Sequence, residues 1–417
     1  MRRLSPLQKP VTIDFEGQQL EAELGEPAAS TLIAEGELLF SRSVKYHRPR
    51  GPFCMTGGCS NCLMRVDGVP NVQTCMTPVT AGMRLERQNS FPDASIDLFA
   101  ANDLVFRKWF NHHEFMAGIP IVEQVMLRIA RKLAGLGTLP DRAPEALPPA
   151  KVENVDLVIV GGGASGLAAA RKLTERGTPY LLLEREHVLG GRLITSAEQG
   201  LAAVFEPIAT SVRAGCTVLG LYADDGRQFL ATTWRGQLHL LYFSRLLLAI
   251  GGQATLLPFE NNDLPGVFAG RALARLIRRD RVLPGQRVAC VGELEEARAL
   301  ARLVTSVGGT ALAVGAEPTR AHGLQHVTGV SLKTGERVDC DVIALCAQVS
   351  PSFEMARAGG AKVVWDPRSK VFVVEADATG RTANPNLFVS GELRGPMSPA
   401  AAAETGLLAA EALVGAS

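Results

Sequence analysis

Four cysteines between residues 54 and 75 have the types and spacing of a metal or redox site. Cys54, Cys59 and Cys62 follow the pattern C-x4-C-x2-C, and twelve residues separate Cys62 from Cys75. This is the spacing of plant-type [2Fe–2S] ferredoxins, except that the fourth cysteine lies closer in sequence. Glycines 57 and 58 allow the backbone to wrap closely around a cluster and to point N–H groups at its sulfurs. The pattern therefore predicts that these four cysteines hold a [2Fe–2S] cluster.

Structural zinc, a disulfide framework and idle thiols are the alternatives for this segment. Zinc sites more often use two C-x2-C knuckles or histidine, and the segment has one knuckle and no histidine. The N-terminal stretch MRRLSPLQKPVTIDFEG lacks the apolar core of a signal peptide, so we expect a cytoplasmic chain with reduced thiols. Disulfides are then disfavoured, while zinc or idle thiols remain the alternative. The other cysteines lie in apolar segments and are predicted to be small buried residues: Cys216, Cys290, Cys340 and Cys346.

A glycine-rich turn predicts a dinucleotide site. Gly161, Gly163 and Gly166 form G-x-G-x-x-G around Ala164 and Ser165, after the strand-like run VDLVIV and at the start of a helical pattern. Such glycines permit a sharp turn and the close approach of a pyrophosphate to a helix N-terminus. Glu184 ends the next strand, eighteen positions after Gly166, where a carboxylate accepts bonds from ribose hydroxyls. An acid there disfavours a 2′-phosphate, so an unphosphorylated adenosine dinucleotide is predicted.

Further residues favour FAD as that dinucleotide. Gly191 and Arg192 lie in LGGRL, a second glycine doublet that is common where the longer FAD molecule continues past the first turn. Near the C-terminus the pair Gly391–Glu392 resembles the late segment of flavoproteins with two dinucleotide domains, in which glycine and aspartate meet the ribityl chain. The remaining candidate cofactor-binding residues are Arg185, Val218 and Gly251. A structural NAD or ATP remains open for the same site.

The elements that carry these motifs predict an α/β protein. An N-terminal ferredoxin-like domain of β-grasp type is expected from short alternating runs such as VTIDF and LMRV. Two strand–turn–helix–strand units then indicate two Rossmann-like dinucleotide-binding domains. The predicted boundaries are 1–98 for the cluster domain, 99–152 for a helical connector and proline-rich linker, 153–255 with 372–417 for the FAD domain, and 256–371 for the second nucleotide domain.

The second nucleotide domain is predicted to be degenerate. It keeps Gly292 but has Leu294 where the second glycine belongs. Glu293, Glu295 and Glu296 add negative charge where a pyrophosphate would bind, so NAD(P)H is disfavoured here.

Composition excludes several classes of partner. The formal net charge is +1, which disfavours nucleic acid. No run of about 18 apolar residues indicates a transmembrane helix. No Ser/His/Asp arrangement or pair of carboxylates placed for acid–base work is evident, so no catalytic residue is predicted.

Several stretches resemble the alpha subunit of heterotetrameric sarcosine oxidase and its relatives. They include SRSVKYHRPRG from residue 41, PNVQT, RQNSFPD and LLLAIGGQATLLPFENNDLPGVFAG from residue 246. The relatives are amino-acid, opine and hydroxyproline dehydrogenase complexes and hydrogen cyanide synthase. The resemblance implies domains of the pyridine nucleotide-disulfide oxidoreductase type, FAD, and FMN at a subunit interface. It also implies a hetero-oligomer with a glycine-oxidase-type FAD subunit that oxidises the C–N bond, in the cytoplasm or peripheral to the inner membrane through the complex.

Two departures from sarcosine oxidase refine this expectation. The chain has no aminomethyltransferase-like region before Ser417, so folate chemistry is not predicted. It has all four cysteines, which the sarcosine oxidase subunit generally lacks, and so is closer to the dehydrogenase branch. The leading hypothesis is an electron-transfer subunit of an oxidoreductase acting on CH–NH or CH–NH2 donors. The alternatives are a self-sufficient NADH-dependent reductase, and a chain that holds ATP or NAD structurally with only the cluster redox-active.

Overall fold

The computed structural model describes residues 1–43, 47–90, 93–96, 139–143, 148–195 and 212–415. The chain divides into two compact units, one formed by residues 1–144 with 256–347 and the other by residues 145–255 with 348–417. The helix predicted between residues 99 and 135 lies outside the described residues.

The N-terminal segment of the first unit is a mixed sheet with one helix. Its elements are β1 (Arg2–Arg3), β2 (Pro10–Phe15), β3 (Gln18–Glu23), α1 (Ala28–Ala34), β4 (Ser41–Arg42), β5 (Pro49–Arg50), β6 (Leu63–Val66), β7 (Val69–Gln73) and β8 (Arg84–Glu86). Five strands form a sheet in the order β3-β2-β8-β6-β7. Strands β2 and β8 are parallel, and the other pairs are antiparallel. Every residue of α1 is buried. This arrangement confirms the predicted ferredoxin-like domain.

The hairpin of β6 and β7 brings distant cysteines to one end of the sheet. Asp67 and Gly68 connect the strands with φ angles of 49° and 79°, the two positive values that a tight type I′ turn requires. The register pairs Leu63 with Gln73. Because Cys62 precedes Leu63 and Cys75 follows Gln73 by two residues, both cysteines lie at the open end of the hairpin.

A largely parallel sheet begins the second unit. Its elements are β9 (Lys151–Val160), α2 (Ala164–Glu175), β10 (Leu181–Glu184), α3 (Arg192–Thr195), β11 (Val212–Ala214), β12 (Thr217–Asp224), β13 (Arg227–Trp234), β14 (Gln237–Leu248) and β15 (Gly252–Gln253). The strand order is β11-β10-β9-β14-β13-β12. Successive residues of β9 enter different apolar clusters, Leu157 and Ile159 on one face and Val158 and Val160 on the other. Burial on both faces explains why VDLVIV is continuously apolar.

A second parallel sheet lies in the first unit. Its segment contains β16 (Val267–Ala269), α4 (Gly270–Arg278), β17 (Val282–Leu283), β18 (Arg287–Gly292), α5 (Leu294–Ser306), β19 (Thr310–Val314), β20 (Pro318–His322), β21 (Gly329–Leu332), β22 (Arg337–Asp339) and β23 (Val342–Cys346). Strands β16-β23-β18-β19 form the parallel sheet, and β20-β21-β22 form a small antiparallel one. The predicted second strand–helix–strand unit is therefore confirmed as β18–α5–β19.

The C-terminal segment completes the second unit. It contains β24 (Ser350–Pro351), α6 (Glu354–Ala358), β25 (Val363–Asp366), β26 (Val371–Val374), β27 (Leu387–Val389), a 3₁₀ turn (Gly391–Arg394) and α7 (Pro399–Val414). Strand β27 pairs in parallel with the end of β14. Helix α7 packs closely on α2 at Gly406, which has no side chain. A Cβ atom there would lie only 2.0 Å from the carbonyl oxygen of Ser165. Among the described helices, none is long and apolar enough to cross a membrane.

A charged cluster crosses the parallel sheet of the second unit. Arg213 on β11 donates two hydrogen bonds to the Glu153 carboxylate on β9, at 2.7 and 3.1 Å. His239 on β14 lies with Nδ1 2.6 Å from the same carboxylate. The bonds from Arg213 lower the pKa of Glu153 to about 2. The ionised carboxylate therefore stabilises the fold above its ordinary pKa of about 4.3, and this contribution falls as the pH drops from there towards 2.

We expect Glu153→Gln to lower the free energy of unfolding at pH 7 by about 1–3 kcal/mol, the usual range for a charged hydrogen bond. The deficit should be smaller at pH 3, where the wild-type carboxylate has lost part of its advantage. Urea unfolding at the two pH values measures both quantities. Glu175→Gln, which removes an exposed helix ion pair with Arg171, is the control and should change stability by under about 0.5 kcal/mol. An equal deficit at both pH values would contradict the assignment.

Candidate functional site

The four predicted cluster cysteines come together at one end of the ferredoxin-like sheet. Cys54, Cys59 and Cys62 lie in the loop between β5 and β6, and Cys75 follows β7. Cys54, Cys62 and Cys75 are 4%, 1% and 2% exposed, and Cys59 is half-buried. All four are free thiols. Burial of four unpaired thiols at one point is the arrangement that their spacing predicts.

The sulfurs contact one another. The thiols of Cys59 and Cys75 hydrogen-bond to Cys54 and lower its pKa, and Cys75 does the same to Cys62. The Thr56 N–H donates to the Cys54 sulfur at 3.4 Å, and the Asn61 N–H donates to Cys59. N–H groups aimed at cysteine sulfurs are a means by which proteins stabilise iron–sulfur clusters.

The residues present fit a [2Fe–2S] cluster. Such a cluster is held by four thiolates, with two on each iron, and four mutually contacting thiols with N–H donors meet that need. Cys54, Cys59, Cys62 and Cys75 are thus the residues that would bind the two irons.

The glycine turn has a different requirement at each position. Gly161 has φ +104°, and a Cβ atom there would lie 2.4 Å from the Ala249 carbonyl oxygen. A Cβ on Gly166 would lie 1.9 Å from the Gly161 carbonyl oxygen. The fold itself therefore demands glycine at both positions. A Cβ on Gly163 would meet no atom within 4 Å, so the side chain missing there leaves room for a ligand at the N-terminus of α2.

Glu184 lies beside this turn at the end of β10. Its carboxylate accepts hydrogen bonds from the backbone N–H groups of Gly162, at 2.6 Å, and Glu186, at 2.9 Å. Burial raises the pKa of this carboxyl group. A carboxylate offers about four acceptor positions, so two remain for the ribose hydroxyls that the sequence predicts as partners. The neighbouring Arg185 is exposed.

The second glycine doublet packs against the first turn. A Cβ on Gly191 would lie 3.2 Å from the Cα atom of Gly163, and the Gly190 N–H donates to the Gly162 carbonyl at 2.8 Å. Arg192 begins α3 directly after this contact. The doublet and the G-x-G-x-x-G turn are separate motifs in the sequence, and these contacts join them into one surface.

The late Gly–Glu pair joins the same region through Arg192. The Arg192 guanidinium donates to the Glu392 carboxylate at 3.0 Å and to the Met397 carbonyl at 2.6 Å. The second carboxylate oxygen of Glu392 lies 3.6 Å from the position of a Cβ on Gly251. Gly391 must be glycine, since a Cβ there would lie 2.7 Å from the Ser165 hydroxyl. The extra methylene of Glu392, compared with aspartate, is accommodated by an ion pair and a glycine.

The other assigned residues differ in how they relate to this surface. Ala164 and Ser165 open α2, and the Ser390 hydroxyl donates to that of Ser165 at 3.2 Å. Val218 lies on β12, opposite Thr232 of β13, and packs against an apolar cluster of the sheet. None of the described contacts joins Val218 to the glycine turn.

Sequence reasoning did not identify several polar residues that hold these loops. Gln73 and Thr74 bond the carbonyls of the cysteine loop, and the Thr405 hydroxyl accepts a bond from the Gly391 N–H at 2.8 Å. Gln73 and Thr74 stand directly before Cys75, and that position is the one signal that could have indicated them.

The second nucleotide fold keeps a glycine turn with altered residues around it. Gly292 has φ +126°, and a Cβ there would lie 2.3 Å from the Cys346 carbonyl oxygen. Leu294 is the first residue of α5 and is 39% exposed, with Glu295 and Glu296 in the first turn. An apolar side chain and two acids thus surround the helix end where a pyrophosphate would bind.

The remaining cysteines are buried, as predicted. Cys216, Cys290, Cys340 and Cys346 are at most 2% exposed. Burial raises the pKa of Cys290 to about 12 and that of Cys340 to about 12. They are inert thiols of the core.

Comparison with known proteins finds family matches over the segments that contain both sites. A family model described as a 2Fe-2S iron-sulfur cluster binding domain matches residues 8–90. One described as an NAD(P)-binding Rossmann-like domain matches residues 159–213. An L-proline dehydrogenase from P. horikoshii has the same fold, with a TM-score of 0.78 and 20% identity over all of this chain and 76% of its own.

Two curated relatives cover very different shares of the chain. The sarcosine oxidase alpha subunit of Rhizobium meliloti is 26% identical over 97% of this chain and 46% of its own length. The chain therefore spans about half the length of that subunit. The hydrogen cyanide synthase subunit HcnA of Pseudomonas aeruginosa is 35% identical over 80 residues, which are 19% of this chain and 76% of HcnA. The chain thus belongs to the family of the sarcosine oxidase alpha subunits and hydrogen cyanide synthase, as its sequence resemblance predicts.

Proposed function

We propose that this chain is the electron-transfer subunit of a multi-subunit amine or amino-acid dehydrogenase. The observation that carries the proposal is the pairing, in one chain, of four contacting thiols suited to a [2Fe–2S] cluster with a dinucleotide turn. The relatives named above include a sarcosine oxidase, which acts on a CH–NH donor. We assign this chain to the same reaction class, as an oxidoreductase acting on CH–NH or CH–NH2 donors.

The chain's own residues supply binding and position. Gly163 and the N-terminus of α2 would take the pyrophosphate of FAD, and Glu184 the adenosine ribose. Arg192 and Glu392 would lie along the rest of the molecule. Bound FAD and a [2Fe–2S] cluster supply the exchange between two-electron and one-electron transfer. FMN at a subunit interface is a further expectation from the family resemblance.

A partner subunit would perform the oxidation itself. We propose a glycine-oxidase-type flavoprotein that takes hydride from the amine, within a hetero-oligomer in the cytoplasm. This division of labour agrees with the sequence, in which no acid–base group could be assigned. HcnA matches only 80 residues, 19% of this chain, so we propose that the part of this chain that is similar to HcnA is fused to the flavin-binding part.

An NADH-dependent reductase is a weaker hypothesis. It would need pyrophosphate binding at the start of α5, where Leu294 replaces the second glycine and Glu295 and Glu296 repel phosphate. Self-sufficient reduction by NADH is therefore not expected.

Substrate-driven reduction of the cluster tests the relay. The chain would be co-purified with its flavoprotein partner and mixed anaerobically with a panel of amino acids and N-methyl amino acids. We expect one substrate class to produce the low-temperature EPR signal of a reduced [2Fe–2S] centre in the complex and not in the isolated chain. Rapid reduction of the isolated chain by NADH would contradict the proposal. Extraction of the bound nucleotide, with absorbance near about 450 nm for flavin, distinguishes FAD from a structural NAD or ATP.

A further inference from the structure

Gln73 bonds two separate carbonyls of the cysteine loop. It is the last residue of β7 and is half-buried. Its side-chain Nε2 lies 3.2 Å from the Gly57 carbonyl oxygen and 3.2 Å from that of Cys59. The Thr77 hydroxyl donates to the Gln73 carbonyl at 2.9 Å and so holds the backbone of Gln73 in turn. One carboxamide thus connects the strand before Cys75 to the loop that carries the other three cysteines.

These bonds determine the direction of two N–H groups. In a planar trans peptide the C=O and the N–H point in opposite directions. The Gly57 carbonyl shares its peptide unit with the Gly58 N–H, and the Cys59 carbonyl shares its unit with the Ser60 N–H. Because Gln73 holds both oxygens, both N–H groups are turned away from Gln73. Among the described residues, neither N–H donates to a backbone carbonyl, so both are available to another acceptor.

We infer that Gln73 is a positioning residue for the cluster: it keeps the N–H groups of Gly58 and Ser60 turned towards the cluster sulfurs. The Thr74 hydroxyl bonds the Cys62 carbonyl at 2.8 Å, so the same strand end orients a third peptide unit of the loop. Hydrogen bonds to cluster sulfurs stabilise the reduced, more negative state and raise the reduction potential. Gln73 thereby tunes the potential without contacting iron. The inference depends on the cluster and is independent of the proposed relay to a partner.

Gln73→Met tests this role, because methionine has nearly the same length and cannot donate a hydrogen bond. The full chain would be purified anaerobically and its cluster titrated, with the midpoint potential read by EPR. We expect a potential more negative than that of wild type, and a several-fold faster loss of cluster absorbance in the presence of a chelator. Gln88→Met is the matched control. Gln88 bonds Asn71, which lies on β7 as Gln73 does, but it bonds no residue of the cysteine loop. The cluster of the Gln88→Met variant should therefore have the wild-type potential.

Gln73→Asn keeps the carboxamide on a shorter side chain that can reach only one of the two carbonyls, and its potential should lie between those of wild type and Gln73→Met. An unchanged midpoint potential in both variants would overturn the inference, even if the cluster were lost faster. A residue that only stabilises the loop would change how long the cluster is retained and leave its potential unchanged. If neither variant held any cluster, Gln73 would be a residue that stabilises the loop, and the inference would be overturned as well. The proposed relay is tested separately, by substrate-driven reduction of the wild-type complex. The results with the Gln73 variants therefore do not decide whether the relay exists.

Discussion

Replacing Cys59 by serine is expected to abolish the [2Fe–2S] centre. Cys59 is the half-buried member of the four contacting thiols, and a serine oxygen is a harder and more basic ligand than the thiolate that such a cluster uses. The protein should still fold, since Cys59 is only half-buried and Gln73 bonds the loop that carries it. The measurement is the low-temperature EPR signal after reduction, together with iron and sulfide content per chain. We expect both to fall to near zero.

Cys216→Ser is the matched control for this change. Cys216 is 1% exposed and lies beside the Thr232 hydroxyl, which can bond the introduced serine. The variant should keep full iron and sulfide content. Stoichiometric zinc in anaerobically purified wild type, in place of iron and sulfide, would overturn the cluster assignment.

The second large effect is expected at the dinucleotide turn, where two glycines should respond in opposite ways. Gly163→Ala should still fold, with a stability about 1 kcal/mol below wild type, since Gly163 is the extended N-cap of α2 and alanine is a poorer cap than glycine. A Cβ there meets no protein atom but would enter the space left for a pyrophosphate. We expect the purified variant to retain much less nucleotide than wild type, measured by absorbance and chromatography of the heat-released ligand.

Gly166→Ala is the counterpart that tests the fold instead of the ligand. Its Cβ would lie 1.9 Å from the Gly161 carbonyl oxygen, so the backbone of the turn would have to shift. We expect a lower unfolding temperature even in protein stripped of nucleotide. Equal nucleotide content in Gly163→Ala and wild type would contradict the assignment of this turn as the binding site.

The sequence by itself determined the local parts of this protein. The cluster cysteines and the glycine turn both depend on residues close together in the chain, where spacing and backbone conformation leave few alternatives. The continuous apolar run of β9 predicted a strand, and the structure buries its residues in two apolar clusters. These features are readable because the physical constraint acts within one element or one turn.

Only the tertiary structure decided which distant residues complete the sites. Arg192 bonds Glu392 across two hundred positions, and this contact shows how the glutamate side chain is accommodated beside the glycine turn. Periodicity gives no information on such pairs, because the two residues follow different strands, β10 for Arg192 and β27 for Glu392.

The tertiary structure also decided what the second nucleotide fold contacts. The Ala269 N–H at the start of α4 donates to the Phe53 carbonyl beside Cys54, at 3.0 Å. Strand β1 pairs with β17, and the Ser30 hydroxyl donates to Asp280 at 2.8 Å. The sequence treats the cluster domain and the second nucleotide domain as separate segments, since each has its own local pattern. Their contacts join residues that are far apart in sequence, and no local pattern predicts them.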